Sequence, residues 1–380
     1  MSALPALSSP AAQPCGLARP VLRVDPAAIA ANVRRAHEVS GAAVMAVVKA
    51  DGFGAGAVPA ARAALAAGAT WLGTATLDEA VALRRAGLAA PLLAWVLPID
   101  SAWDAALRLR IDVAIASVAH LRRVAEAAAR SSLRARVHLH VDTGMARDGA
   151  APADRPALVA AAAEAERLGL VEVVGVMGHL ARADEPADPA NAAGLAAFRT
   201  ALDEVAAAGL RPAVRHLAAT EAALRLPAAA FDLVRIGAGL VGIGPGLRPA
   251  LTLAAPVVLV RRAAAGTPVG YGHTARTAAE TVLATLPVGY ADGVPRRLDA
   301  GAAVQLGGRR CAVVGRVSMD QLVVDAGPQG VEVGATAVLL GPGDAGEPTA
   351  ADWARWAGTI EHDVVTGVGR RVERIVEGGR

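Results

Sequence analysis

Residues 43–54 read Ala43-Val-Met-Ala-Val-Val48-Lys49-Ala-Asp-Gly-Phe-Gly54: six apolar residues, one lysine, then a stretch punctuated by two glycines. A short apolar run bounded by a glycine turn is the pattern of a strand buried on both faces. The pattern recurs at Trp71–Thr74, Leu92–Val96, Ile111–Ala116, Ala135–Val141, Val171–Met177, Ala213–Leu217 and Leu233–Ile236. Alanine-rich helical stretches such as Leu77–Ala86, Ser117–Ala129, Ala157–Leu168, Gly194–Ala208 and Thr220–Leu226 lie between these runs. Eight buried-type strands with intervening helices predict an α/β fold, a parallel (β/α)8 TIM barrel. A doubly wound open sheet is the alternative, because periodicity does not show closure.

Outside that region the texture differs. Val21–Asp25 reads as a short strand whose Asp25 caps a helix with Pro26 at its first position. From about Leu251 the runs become short and β-rich: Val257–Val260, Thr281–Pro287, Ala303–Leu306, Ala312–Val314, Leu322–Val324 and Ala337–Leu340, separated by glycine turns. The expected organisation is a disordered leader at 1–19, a barrel at 20–250 and a mainly β C-terminal domain at 251–380. The leader has no basic start followed by an apolar core, and Pro5, Pro10 and Pro14 interrupt it, so it does not read as a signal peptide.

Composition narrows the function classes. No apolar run reaches the ~18 residues of a membrane span. Cys15 and Cys311 match no metal or redox spacing, which fits a reducing cytoplasm, and no metal site is expected. A net charge of +3 with scattered arginines, three phenylalanines and two tyrosines gives no nucleic-acid footprint.

Lys49 is the only lysine among 38 lysines and arginines. Guanidinium stays protonated in proteins and does not serve as an amine nucleophile. A lysine kept where arginine serves everywhere else points to imine formation; on composition alone, chance retention reads equally well. Position decides more. Active-site groups of a barrel belong at the C-terminal ends of its strands. Lys49 directly follows the first run, and Arg147 follows the fifth in His140-Val-Asp-Thr-Gly-Met-Ala-Arg147. His179 follows the sixth, His216 and Thr220 the seventh, and Arg235-Ile-Gly237-Ala238 closes the eighth. Reactive residues thus gather at one end, where chance would scatter them over both.

This arrangement, headed by Val47-Val-Lys49-Ala-Asp-Gly-Phe-Gly54, resembles the alanine racemase family. The likeness continues through Val141-Asp-Thr-Gly-Met145, Gly270-Tyr271-Gly-His-Thr274, Leu286-Pro-Val-Gly-Tyr290-Ala-Asp-Gly293 and Val314-Gly-Arg-Val-Ser-Met319-Asp320-Gln321, in the family's order. The resemblance implies a pyridoxal 5'-phosphate enzyme acting on a small amino acid, alanine, as a head-to-tail homodimer. It implies that Tyr271, Tyr290, Met319 and Asp320 enter the partner subunit's site. It further implies a source of D-alanine for bacterial cell-wall synthesis.

The roles follow chemically. Lys49 holds the cofactor and then acts as one base, and the cofactor is the electron sink. Racemisation needs a second group on the opposite face. Tyr271 is that group by resemblance, and a phenol with a reference pKa near ~10 needs electropositive neighbours, which His179 and Arg147 can supply. Arg235 resembles the family's partner to the pyridine nitrogen, and a group that keeps its proton leaves that nitrogen neutral. His216 is expected beside the cofactor ring or its oxygen, with a packed core histidine as its rival. Thr220, Gly237 and Ala238 are expected to meet the phosphate. Tyr290 and Met319 would line the entrance.

Several positions depart from the family pattern. Phe53 stands where a tyrosine commonly reaches the phosphate, Ala55 replaces a common histidine and Ala219 an asparagine. Arg370 falls in the place of another phosphate-binding tyrosine and is expected to offset the lost phenols by a charge-assisted contact. His140 stands where many members carry a carbamylated lysine that orients the arginine matching Arg147; a bound anion such as chloride could take over that task. The competing functions are a serine-directed or broad racemase of the same fold, a decarboxylase of the same architecture, and a non-catalytic cofactor carrier, which would need Lys49 but not Tyr271.

Overall fold

The computed structural model describes residues 17–378 of the 380-residue chain. The expected leader lies outside the described residues as far as residue 16; at its other end Arg19 pairs with Glu373 at 3.1 Å. The chain divides into two units, one of Val24–Leu251 with the residues from Val376 onward, the other of the residues up to Arg23 with Thr252–Ile375.

After a first strand, β1 (Val21–Val24), come eight parallel strands: β2 (Ala43–Val47), β3 (Trp71–Thr74), β4 (Leu92–Ala94), β5 (Asp112–Ile115), β6 (Ala135–His140), β7 (Val171–Met177), β8 (Val214–His216) and β9 (Leu233–Ile236). They are ordered β8-β7-β6-β5-β4-β3-β2-β9. Bonds outside the regular ladder bring the ends of that order together. Asp232 N–H donates to the Arg215 carbonyl at 3.1 Å, and Arg235 N–H to that of Ala218 at 3.0 Å. The sheet is therefore a nearly closed barrel, which rules out the open alternative. The eight apolar runs of the sequence are its eight strands.

Helices start where a side chain satisfies their first N–H groups. Asp25 accepts from Ala27 and Ala28 at 2.7 and 3.1 Å and opens Pro26–Ser40, which Gly41 ends in the left-handed conformation. Asp188 opens Pro189–Ala207 with a proline in the first turn. That helix starts five residues before the expected Gly194, because cap and proline set its origin rather than the first apolar residue.

Among the described residues the second unit holds three sheets. Its strands are β10 (Leu251–Pro256), β11 (Leu259–Ala263), β12 (Pro268–Val269), β13 (Ala275–Arg276), β14 (Thr281–Leu286), β15 (Ala303–Leu306), β16 (Arg309–Ala312), β17 (Leu322–Asp325), β18 (Thr336–Leu340) and β19 (Glu373–Val376). One sheet runs β16-β15-β18-β10-β1-β19, so β1 is a member of this unit's sheet and not a preface to the barrel. The strand expected at Ala312–Val314 is instead Arg309–Ala312, hairpinned to β15 across Gly307 and Gly308. Its two leading arginines hid it from an apolar reading. The expected Val257–Val260 straddles the break between β10 and β11, and two helices, Ala350–Ala357 and Glu361–Gly367, accompany the strands.

No helix among the described residues is long and apolar enough to cross a membrane. Among the same residues, no cluster of histidine, cysteine and carboxylate side chains could hold a metal ion.

Candidate active site

Lys49 leaves the C-terminal end of β2 at the head of an unusual turn. Ala50, Asp51, Gly52, Phe53 and Gly54 all take positive φ, from 51° to 85°. Each non-glycine residue there costs roughly 1–2 kcal/mol relative to a right-handed turn. Three contacts hold the turn. Glu79 Oε1 accepts the Ala50 N–H at 2.7 Å, Gly52 N–H donates to the Val48 carbonyl at 2.9 Å, and Asp51 Oδ1 accepts from Ala57 at 2.8 Å. The turn carries the Phe53 ring inward against Gly237, where an added Cβ would lie 2.8 Å from two ring carbons. The Lys49 amine is half-buried. Burial first, then the charges of Arg147 and Arg235, lower its pKa against the opposing pull of Glu79, so more of it is free amine near neutrality.

Arg235 is the hub of the site and is only 4% exposed. One terminal nitrogen donates to the His216 carbonyl at 2.8 Å and faces His216 Nδ1 at 3.1 Å. The other donates to the carbonyls of Gly178 at 2.7 Å and Leu217 at 3.1 Å, and faces His179 Nδ1 at 3.2 Å. Burial and Arg147 push its pKa down to about 10, still far above neutrality. Its Nε–H alone has no acceptor among the described residues. A ligand atom with a lone pair and no proton would meet that donor.

A guanidinium only donates, so both histidine Nδ1 atoms must accept. His179 therefore carries its proton on Nε2. Burial and the cations around it, Arg235 foremost, push its pKa down to about 3, so the ring stays neutral and its Nε2–H remains a donor. Both ring nitrogens of His216 are engaged by protein groups, Nδ1 by Arg235 and Nε2 by His138 at 2.9 Å, and the ring is fully buried. His216 thus packs against Arg235 and His138, the core setting that stood as the alternative to a place beside the cofactor ring.

Thr220 is buried after β8, and its hydroxyl accepts from the N–H groups of Gly237 and Gly239 at 3.4 and 3.2 Å. That bond ties the end of β9 to the helix Thr220–Arg225. Ala238 opens the short turn Ala238–Val241, so its N–H has no carbonyl partner within the turn. The Thr220 O–H, the Ala238 N–H, the packed Phe53 ring and the free Arg235 Nε–H fit the phosphate and the ring nitrogen of a pyridoxal phosphate, with the Lys49 amine to anchor it.

His140 Nδ1 lies 3.4 Å from Asp148 Oδ2, poorly aligned for a hydrogen bond, and this histidine is the main cause holding the Asp148 pKa low. Arg147 is exposed and makes no hydrogen bond or ion pair with a described residue.

The remaining expected residues lie on the second unit. Tyr271 is 71% exposed, Met319 52%, and Tyr290 is the least exposed of the three at 39%. Three segments lock together beneath Tyr290 and Met319. Tyr290 N–H donates to the Ser318 carbonyl at 3.0 Å, Ala291 N–H to that of Met319 at 2.9 Å, and Gly369 N–H to that of Asp292 at 2.9 Å. Arg371 bridges the buried Asp292 at 3.0 Å and Asp320 at 2.7 Å. Arg370, beside it, is exposed.

Sequence reasoning missed Glu79, Asp112, His138, Gly175 and Arg371. One signal was present: Arg136, His138 and His140 alternate along an otherwise apolar strand, which marks a polar inner face. A glycine in mid-strand at Gly175 was another.

Comparison with known proteins agrees with the geometry. Residues 24–245 match the family described as alanine racemase, N-terminal domain, and residues 250–376 match alanine racemase, C-terminal domain. The chain is 50% identical to an alanine racemase of Thermobifida fusca over 94% of its own length and 97% of that protein's. It is 48% identical to one of Streptomyces coelicolor over 93% and 94%. The solved alanine racemase of Streptomyces coelicolor A3(2) superposes with a TM-score of 0.93 at 46% identity, covering 95% of this chain and 98% of that one. The alanine racemase of Bacillus anthracis with bound L-Ala-P gives 0.86 at 32% identity, over 95% and 96%.

Proposed function

The chain belongs to the alanine racemase family, and from that premise we propose that Lys49 and Tyr271 are the two acid–base groups of a pyridoxal-phosphate-dependent enzyme. The reaction is interconversion of L- and D-alanine, an isomerisation that supplies D-alanine for peptidoglycan. The observation that carries the reading is the sole lysine of the chain, its pKa lowered by burial and by Arg147, at the same barrel end as a buried arginine with one uncommitted N–H.

When bound, pyridoxal phosphate supplies an electron sink that acidifies the Cα proton of an amino acid. The chain's own residues do the rest. Lys49 would hold the cofactor, and its amine would take or return the proton on one face of Cα. Arg235 holds the ring nitrogen with a proton that it does not surrender, which keeps electron density at Cα and favours reprotonation there. Thr220, Gly237 and Ala238 hold the phosphate, with Arg370 as a further charged contact. His179 offers its Nε2–H, and Arg147 its charge, to the Tyr271 oxygen, so that a phenol works as the second base near neutrality.

The exposure of Tyr271 and Met319 supports a shared site. A tyrosine open to solvent lacks the desolvated surroundings that base catalysis needs, and a second subunit would supply them. Tyr271, Tyr290, Met319 and Asp320 of one protomer accordingly complete the site of its partner in a cytoplasmic homodimer.

The test is complementation. Lys49→Ala and Tyr271→Phe are each expected to abolish racemisation of L-alanine. Coexpressed, they form mixed dimers with one intact site, and about a quarter of wild-type activity returns. No recovery would mean that both residues act within one protomer. L-Serine assayed alongside is expected to be the poorer substrate. An intact cofactor band with no turnover of any amino acid would leave only a carrier.

A further inference from the structure

Behind Arg235 the barrel interior holds a line of polar side chains that the two-base reading does not use. His216 Nε2 meets His138 Nδ1 at 2.9 Å, and His138 Nε2 lies 3.5 Å from Asp112 Oδ2. Asp112 is gripped by Arg136 through bonds of 2.9 and 3.2 Å, and Arg136 reaches Glu172 at 3.3 Å. His138 and His216 are 0% exposed and Asp112 2%. Asp112 opens β5 while His216 closes β8, so the line runs from one end of the barrel to the other.

Hydrogen-bond bookkeeping gives this line one direction. Arg235 can only donate, so His216 Nδ1 is unprotonated and its single ring proton sits on Nε2. That proton needs an acceptor, which is His138 Nδ1. His138 then carries its own proton on Nε2, the nitrogen facing the Asp112 carboxylate. The last contact is too long for a good hydrogen bond and acts electrostatically. A cationic His216 is excluded by the same count, since its Nδ1–H would point into the guanidinium; burial and Arg235 lower its pKa accordingly.

The barrel is shaped around this line. In the β6–β7 pairing His138 stands opposite Gly175, where an added Cβ would fall 2.4 Å from His138 Nδ1. Glycine in mid-strand weakens a sheet, so its presence there is accounted for by the ring it admits. Trp71 holds the same ring edge-on with centroids 5.3 Å apart. Buried polar groups are costly unless satisfied, and the bonds from Arg235 through His216 to His138 close in a single sense only.

We propose that Asp112, His138 and Gly175 form a positioning relay that fixes the proton of His216 and thereby the orientation of Arg235. With the relay broken, His216 is free to move its proton to Nδ1, which repels the guanidinium and swings its Nε–H away from the ligand. The role rests on the reading of Arg235 as the partner of the cofactor's ring nitrogen.

The experiment uses the full-length cofactor-loaded enzyme labelled with 15N in its histidine rings. The His216 ring, assigned by substitution, is expected to carry a proton on Nε2 alone from pH 6 to 9. In His138→Leu the His216 ring should show both protonation patterns. The visible band of the bound cofactor should shift, and kcat should fall about 10- to 100-fold with KM within about twofold. His138→Gln, whose carbonyl still accepts from Nε2–H, should regain most of each. A wild-type His216 protonated on Nδ1 would overturn the proposal, as would a His138→Leu enzyme with unchanged ring signals or an unchanged band. Should His138→Leu fail to fold, the wild-type ring signals and Gly175→Ala, which displaces the same ring, carry the test. A wild-type enzyme without a borohydride-sensitive band would sink the functional reading instead, a result to which the ring signals are blind.

Discussion

The barrel's cluster and the second unit's loops carry the two halves of the proposed site, and they are built in opposite ways. Arg235 and His216 are sealed in the interior, with every donor but one assigned by long-range bonds. Tyr271 and Met319 stand in solvent, and the segment of Met319 is held by backbone bonds to that of Tyr290. The first half keeps its geometry by itself. The second leaves its side chains exposed, and in the proposed dimer the partner's surface would cover them. On the proposed reading, a site divided in this way couples catalysis to assembly.

Substitutions on the two sides should therefore differ in kind. The largest effect belongs to Lys49→Ala, which is expected to lower racemisation ~10⁴-fold or more and to remove the borohydride-sensitive band, while leaving thermal stability within a degree or two. Residual turnover near wild type would show that no lysine amine is needed and undo the comparison.

Acid should act on the barrel side. The His179 ring has its pKa pushed to about 3, below its ordinary value, so the folded state favours the neutral form. Stability from this source is complete above about pH 6.5 and is lost as pH falls from there toward 3, by at most about 1.4 kcal/mol per pH unit. Urea midpoints measured at pH 7.5 and pH 5 should fall in wild type and fall less in His179→Gln. Equal slopes in the two proteins would show that this ring is not held neutral by its setting.

The smallest effect sharpens the view of the outer half. Arg371 bridges Asp292 and Asp320, beneath the turns that carry Tyr290 and Met319. Arg371→Ala should raise KM for alanine about threefold with kcat within twofold, the scale of an exposed ion pair. A loss of kcat as large as that from breaking the barrel cluster would mean that these turns take part in the chemistry itself.

Much of the barrel was legible because its signal is local. Strands buried on both faces must be continuously apolar, so eight runs announced eight strands. Lys49 was legible as the one amine in a chain that elsewhere uses arginine. His216 was placed at the correct strand end, but its two nitrogen partners, His138 and Arg235, were not legible. The hairpin at Arg309–Ala312 was misplaced, since an edge strand led by arginines lacks the apolar signature.

The sequence by itself determined the strand count, the barrel ends at which reactive groups collect, and the family to which its motifs point. Those properties reside in residue type and spacing along one chain. Tertiary structure alone decided that β1 serves the second unit's sheet and that Arg235 has a single uncommitted N–H. It alone decided that a glycine on β7 makes room for a histidine on β6. Each of these depends on groups far apart in sequence whose donors, acceptors and volumes are matched only when the barrel closes.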